Sequence, residues 1–421
     1  MTTKKFTLPN GVTVITTKMA EAKSTSLIIS VPHGSRHETE EQAGLAHFFE
    51  HLVFKGAKKY PTPEAISEAL DQYGAYYNAF TDFEQTAYLA QITAEHFDTA
   101  LDVISDYLTH PKLKQSDIDR ERNVILEEFN MYWDVPKERA DMQSNKLVFG
   151  DSPLGRSIIG YKNTIAGFKR ADFVNWHEHY YGSDKVVVGV AGVIPHNLEA
   201  MLKKALKDLP KPAQVKMVPA TILDGEPRIL MDVRKGDQIQ LNLSFPSIAA
   251  SDRRQPVLQL LRAIMGSSMS SRLFREVREK RGLCYSIYMS NQYFSDTGMI
   301  QVVAGLDRQR LAEAVAAIWL ELKKIANEAV PAAELKRAKE YIKGATILGV
   351  EDNMSVAKMM TSQYMFEGTL KSVEEKLAEI ERVKASEITK LANELFVANK
   401  IGLVLVGPKQ NTDQIREIVT S

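Results

Sequence analysis

The sequence predicts an α+β protein made of two similar domains, and three observations carry that expectation. The chain has 421 residues, too many for one ordinary hydrophobic core. Strand-like and helix-like apolar patterns alternate through the first half. The second half then repeats the plan of the first. "KVVVGVAGVIPHNLEAMLKK" from Lys185 resembles "KIGLVLVGPKQNTDQIREIV" from Lys400, an offset of 215 residues, and "IISVPHG" from Ile28 aligns with "NLSFPSI" from Asn242 at 214, which places Pro32 on Pro246.

In chain order, "STSLIISVPHG" reads as a strand and "EQAGLAHFFEHLVF" as an amphipathic helix. "TPEAISEALDQYG" is a helix stopped by glycine, followed by the strands "AYYNAFT" and "EQTAYLAQIT". Two long helices come next, "AEHFDTALDVISDYLTH" and "SDIDRERNVILEEFNMYW", then a helix ending at "WHEHYYG". The strand "KVVVGVAGVI" and the helix "HNLEAMLKKALKDL" close the first half, and "PKPAQVKMVPATILDGEP" is a proline-containing link. The expected division is residues 1–210, a link at 211–228, and a related domain at 229–421.

Composition narrows the function. Apolar residues make up 44% and charged residues 25%, as in a soluble globular protein. Lysine plus arginine equals aspartate plus glutamate at 53 each, so no basic field exists to hold nucleic acid. The N-terminal stretch has two lysines but no apolar core, and no apolar run is long enough to span a bilayer. No membrane association is expected, and a cytoplasmic location is. Cys284 is the single cysteine, which rules out an internal disulfide and fits a reducing compartment.

The chemistry is concentrated in "HFFEH", residues 47 to 51. On a helix, positions i and i+4 share a face, so His47 and His51 can point at one ion, with Glu50 bordering that face. Leu45, Phe48, Phe49, Leu52 and Phe54 surround the polar stripe, and an unpaired polar cluster would be costly in such a setting. The repeat offset puts Leu261, Ile264 and Met265 where the first half has His47, Glu50 and His51. All nine histidines lie at or before His196, so only the first half can build a histidine-based site. A catalytic zinc commonly takes three protein ligands. The third candidate lies in "ERNVILEE", where Glu121 and Glu128 are seven apart and share a helix face, while Glu127 lies about 100° round. We take Glu128 as ligand and Glu121 as the partner that orients a histidine or the ion. Taken alone, these glutamates fit a solvated helix edge equally well.

"HFFEH" followed by Glu128, with 76 residues between His51 and Glu128, resembles the inverted zinc motif of the pitrilysin, insulin-degrading enzyme and mitochondrial processing peptidase superfamily. "GLAHFFEHLVFKGAKKYPTPE", "YYNAFTDFEQTAYL" and "ERNVILEE" resemble that family's segments in order, and "SSRLFREVREKRGLCYSIY" resembles its Arg/Tyr segment. The resemblance covers almost the whole chain and points to the processing-peptidase-like, half-size branch. It implies two domains from an internal duplication, each a mainly antiparallel sheet flanked by helices. It implies one zinc per chain on His47, His51 and Glu128, with Glu50 as general base. Arg278 and Tyr285 are then the pair that grips substrate and stabilises the oxyanion. The strand Asn78, Ala79 and Phe80 becomes the edge that binds an extended peptide or unfolded segment. A homodimer whose sites are completed in trans is also implied.

Other residues are read as structural. His177 and His179 are two apart and face different ways on a helix. Cys284 has no histidine to activate it. The rival functions are a protease dedicated to one precursor, such as a ribosomally made peptide, and a non-catalytic partner subunit.

Overall fold

Each half of the chain builds one sheet, and the two sheets have matching strand orders. The computed structural model describes residues 1–211 and 215–421. Residues 212–214, inside the expected link 211–228, lie outside the described residues.

The first sheet contains β1 (Thr2–Thr7), β2 (Thr13–Lys18), β3 (Ser24–Val31), β4 (Tyr76–Thr81), β5 (Thr86–Thr93) and β6 (Val187–Gly192). Their order is β1-β2-β6-β3-β5-β4. Every pairing is antiparallel except β2 with β6. The sequence of β6, "VVGVAG", is buried at every residue, as a strand covered on both faces requires. Strand β4 stands at the other extreme. It pairs with β5, has no strand on its outer side among the described residues, and leaves Tyr76 and Asn78 exposed.

Helix α1 (Leu45–Val53) packs on β4 and β5 and buries Leu45, Phe48, Phe49, Leu52 and Val53. Its N-cap residue, Gly44, has no side chain to satisfy the first amides. The buried Glu38 does so instead, its carboxylate accepting from Gly44 N at 2.9 Å and Ala46 N at 2.7 Å. Gly44 sits at φ 95, and a Cβ there would lie 2.5 Å from Ile159 O, so only glycine fits this entry to the helix. Helix α2 (Pro63–Asp71) starts with Pro63 after Thr62, whose hydroxyl caps Ala65 N at 3.2 Å. Helices α3 (Phe97–Thr109) and α4 (Gln115–Asp134) follow.

The first compact unit comprises Met1–Asn130, Arg156–Val218 and Gly349–Leu370. The last of these comes from the second half of the chain. Its helix Asn353–Glu367 buries Val356, Ala357 and Met360 against Ile15, Ile28, Leu89 and Val187 of the first sheet. Asn353 Nδ2 donates to Ser24 O at 3.0 Å, tying the start of that helix to β3.

The second unit comprises Met131–Gly155, Pro219–Leu348 and Lys371–Ser421. Its strands are β7 (Arg228–Val233), β8 (Gln238–Ser247), β9 (Cys284–Tyr293), β10 (Gly298–Asp307) and β11 (Gly402–Gly407), in the order β7-β11-β8-β10-β9. That order reproduces β2-β6-β3-β5-β4, and β11 follows β6 by the 215 residues seen in the sequence repeat. Along β11 the faces alternate. Leu403 and Leu405 join a core built with helices Gln255–Gly266, Leu311–Asn327 and Ala385–Leu395, whereas Val404 and Val406 meet Ala140 of helix α5 (Pro136–Phe149).

The α+β class with two similar domains, each a mainly antiparallel sheet flanked by helices, is therefore what the chain adopts. The compact units are not contiguous, unlike the expected 1–210 and 229–421. Each takes one helical segment from the other half of the chain, because α5 and Asn353–Glu367 bury their apolar residues on the sheet of the unit they join. Among the described residues, no helix is long and apolar enough to cross a membrane.

Candidate metal centre

In the first unit, α1 and α4 bring His47, His51 and Glu128 together, with their ligand atoms all within 4.8 Å of one another. Glu128 Oε2 lies 3.8 Å from His47 Nε2 and 3.5 Å from His51 Nε2. That oxygen is buried and receives no hydrogen bond from the described residues. A buried carboxylate oxygen without a donor is costly unless a positive charge faces it.

The donor set fits zinc. Ligands about 2.0–2.1 Å from a tetrahedral zinc stand about 3.3–3.4 Å from each other, close to the spacings from Glu128 Oε2 to the two imidazoles. Burial, reinforced by the neighbouring His51, pushes the His47 pKa down to about 3, so its ring is neutral and free to donate a lone pair. Two neutral imidazoles and a carboxylate are a common catalytic zinc set, which leaves a position for water.

Behind His51 run two linked side chains, Glu121 and Lys55. His51 Nδ1 is 3.0 Å from Glu121 Oε1, and Glu121 Oε2 is 2.7 Å from Lys55 Nζ. Burial pushes the Glu121 carboxyl up, but the bonds from His51 and Lys55 outweigh it and leave the pKa below its usual value. An ionised carboxylate only accepts, so a hydrogen sits on His51 Nδ1, and Nε2, the nitrogen turned toward Glu128, is the one that could offer a lone pair to an ion. For His51 itself, burial lowers the pKa, while the Glu121 bond and the charges of Glu128 and Glu50 raise it on balance.

Glu50 follows the two histidines' face, buried at 8% exposure. Its Oε2 accepts a hydrogen bond from Thr81 Oγ1 at 2.6 Å. Burial raises its pKa, and the Thr81 bond opposes that rise. Glu127 is exposed on α4, on a different side from Glu128.

Arg278 and Tyr285 lie in the second unit, on the π-helical turn Phe274–Glu279 and at the start of β9. They are neighbours there. Arg278 Cζ stands 5.7 Å from the Tyr285 ring centroid and 4.4 Å from that of Phe274, and Tyr285 is 80% exposed. Of the three residues expected to bind substrate, Asn78 is exposed, Ala79 buried and Phe80 half-buried on the outer strand β4. His177 sits under α1, stacked on Phe49, with its Nε2 2.6 Å from Leu108 O. His179 meets the Tyr180 ring edge-on. Burial pushes the Cys284 thiol up to about 11, which keeps it protonated and a poor nucleophile.

Sequence reasoning missed Lys55, Thr81 and Glu38. Lys55 is four residues beyond His51, a helical spacing that a closer reading could have used. Thr81 and Glu38 reach their partners through tertiary contacts that no local pattern encodes.

Comparison with known proteins agrees with the fold. Residues 13–162 match the profile of the insulinase family, peptidase family M16, and residues 167–342 match that of the peptidase M16 inactive domain. YmxG of Bacillus subtilis, described as an uncharacterized zinc protease, is 31% identical over 97% of this chain and 99% of its own. SCO5738 of Streptomyces coelicolor, also described as an uncharacterized zinc protease, is 32% identical over 99% of this chain and 92% of its own. A peptidase M16 inactive domain from Pseudomonas fluorescens superposes with a TM-score of 0.90 at 18% identity, over 97% of this chain and 99% of that one. A protease from Helicobacter pylori gives 0.88 at 22% identity, over 97% and 100%. A duplicated α+β chain with a candidate metal site of two histidines and a glutamate in one half defines the class. The chain belongs to peptidase family M16.

Elemental analysis of purified variants tests the ligand set. Wild type and Glu127→Gln should hold about one zinc per chain, and Glu128→Gln much less. Glu121→Gln should keep the site but weaken zinc binding by about 10- to 100-fold. Loss of zinc from Glu127→Gln with retention in Glu128→Gln would reverse the assignment.

Proposed function

We propose that the protein is a zinc-dependent metalloendopeptidase that cuts extended peptides or unfolded segments. The observation that carries this reading is the buried Glu128 oxygen facing two imidazole nitrogens, with the Glu50 carboxylate beside them. What zinc supplies when held by His47, His51 and Glu128 is Lewis acidity toward a peptide carbonyl and toward water. Glu50 is the general base. With Oε2 engaged by Thr81, its Oε1 takes a proton from the attacking water and returns it to the leaving amine nitrogen. Glu121 and Lys55 keep the His51 ring in one tautomer and one orientation.

The unpaired outer side of β4 offers an extended peptide a row of backbone partners at Asn78, Ala79 and Phe80. Such pairing makes little demand on sequence. It also excludes a stably folded substrate, whose strands cannot leave their own sheets. Arg278 and Tyr285 carry donors suited to a developing oxyanion. Their role rests on the family resemblance, as does the arrangement we propose for them: a homodimer in which the pair on one chain serves the zinc site of the other.

Glu50→Gln should retain about one zinc per chain while peptide turnover falls by about 10²- to 10⁴-fold, since a base is removed and no ligand is. Turnover near that of wild type would sink the mechanism. The dimer is tested by co-expressing Glu50→Gln and Tyr285→Phe with different tags and isolating the mixed species. Completion in trans restores one whole site of two and hence measurable cleavage, whereas a mixed dimer as inactive as its parents contradicts it.

A further inference from the structure

Strand β4 carries two features at once. Its outer side is the edge on which an extended peptide can lie, and its last residue, Thr81, donates to Glu50 Oε2 at 2.6 Å. The strand end that holds this hydroxyl is itself fixed. Thr81 pairs with Thr86, and the turn between them closes through Asp82 N to Gln85 O at 2.8 Å. Asp82 Oδ1 accepts from Phe83 N at 2.7 Å.

The segment after β3 then clamps that turn. Ser35 N donates to Asp82 O at 3.2 Å and Arg36 N to Phe83 O at 2.8 Å. The Arg36 guanidinium, wholly buried, pairs with Glu84 of the same turn. Gly34 lets the two backbones approach this closely, because a Cβ there would lie 1.9 Å from Asp82 O. A buried ion pair of this kind is costly to break from one side and therefore holds one geometry.

A glutamate on a helix keeps three side-chain torsions free, and a catalytic base has to present one particular oxygen. Thr81 supplies the missing restraint. Its β-branched side chain has few χ1 choices on a strand, and its single hydroxyl hydrogen can satisfy only one carboxylate oxygen. We propose that Thr81 is the positioning residue for the catalytic base: its hydroxyl holds Glu50 Oε2, leaves Oε1 for the proton, and ties the base to the strand that receives the substrate. This rests on the reading of Glu50 as the base of a peptidase. The strand then has a double function, since the element that aligns the peptide also aligns the group that acts on it.

The rival reading is that Thr81 merely satisfies a buried carboxylate, with no bearing on turnover. Thr81→Val keeps shape and strand preference but removes the hydroxyl, and Thr81→Ser keeps the hydroxyl. With zinc-loaded enzyme and a flexible peptide, kcat of Thr81→Val should fall by about 10- to 100-fold, the range of one hydrogen bond to a charged group. KM should move by less than about twofold, because substrate binding does not use this hydroxyl. Zinc content should stay at wild-type level, and Thr81→Ser should recover most of kcat.

A second readout needs no activity. In zinc-free protein, Thr81→Val should lower Tm while Glu50 is present, because a buried carboxylate oxygen loses its donor. It should not lower Tm in Glu50→Ala, where the hydroxyl has lost its acceptor, so the two substitutions are coupled. Additive Tm changes, an unchanged kcat in Thr81→Val, zinc loss in step with kcat, or a Thr81→Ser as slow as Thr81→Val would each overturn the proposal. An inactive wild type with coupled Tm values overturns the peptidase reading, and an active wild type with an unaffected Thr81→Val overturns the role of Thr81 alone.

Discussion

One buried oxygen organises the first half of this protein. Glu128 Oε2 faces two imidazole nitrogens and is reached by no hydrogen-bond donor among the described residues. An uncompensated carboxylate in such a place costs several kcal/mol, on the order of what removing one partner of a buried pair costs. A divalent cation held by His47, His51 and Glu128 would offset that cost, and the surrounding structure suits such a site. Helix α1 buries its apolar side so that His47 and His51 share the remaining stripe. Glu128 lies seven positions along α4 from Glu121, which together with Lys55 fixes His51 from behind. Glu38 caps the amides that open α1, and the clamped turn after β4 fixes the far side of Glu50 through Thr81.

The second unit shows what the same helix does without an ion. Its sheet repeats the order of the first, and the positions that correspond to His47, Glu50 and His51 are Leu261, Ile264 and Met265, all buried in its core. Fully burying an aliphatic side chain of this size contributes about 1.5–3 kcal/mol. The first unit gives up that contribution at three positions. In exchange it holds a connected polar network, and an ion bound there would link the site to the fold, as metal-binding energy and folding energy are generally linked.

The parts legible in the sequence were those governed by local spacing. Histidines four apart had to share a helix face, and glutamates seven apart had to share another, which put Glu128 rather than Glu127 beside the histidines. The offset of 214 to 215 residues translated directly into matching sheet orders. The remainder depends on contacts between distant segments. Nothing in "NMSVAKMMTSQYM" says that it will cover the first sheet, because its buried residues, Val356, Ala357 and Met360, are apolar in a way that either sheet could accept. Glu38 and Thr81 find their partners only when the chain has folded, so an N-cap drawn from six residues away and a glutamate held by a strand end left no mark in the local pattern.

The central claim is that two imidazoles and one carboxylate of the first unit hold the ion. X-ray absorption at the zinc edge, on protein loaded with one zinc per chain, reads that set directly. The account predicts a shell of nitrogen and oxygen at about 2.0–2.1 Å with outer scattering from two imidazole rings and none from sulfur. A spectrum without imidazole scattering, or with a sulfur ligand at about 2.3 Å, would contradict it.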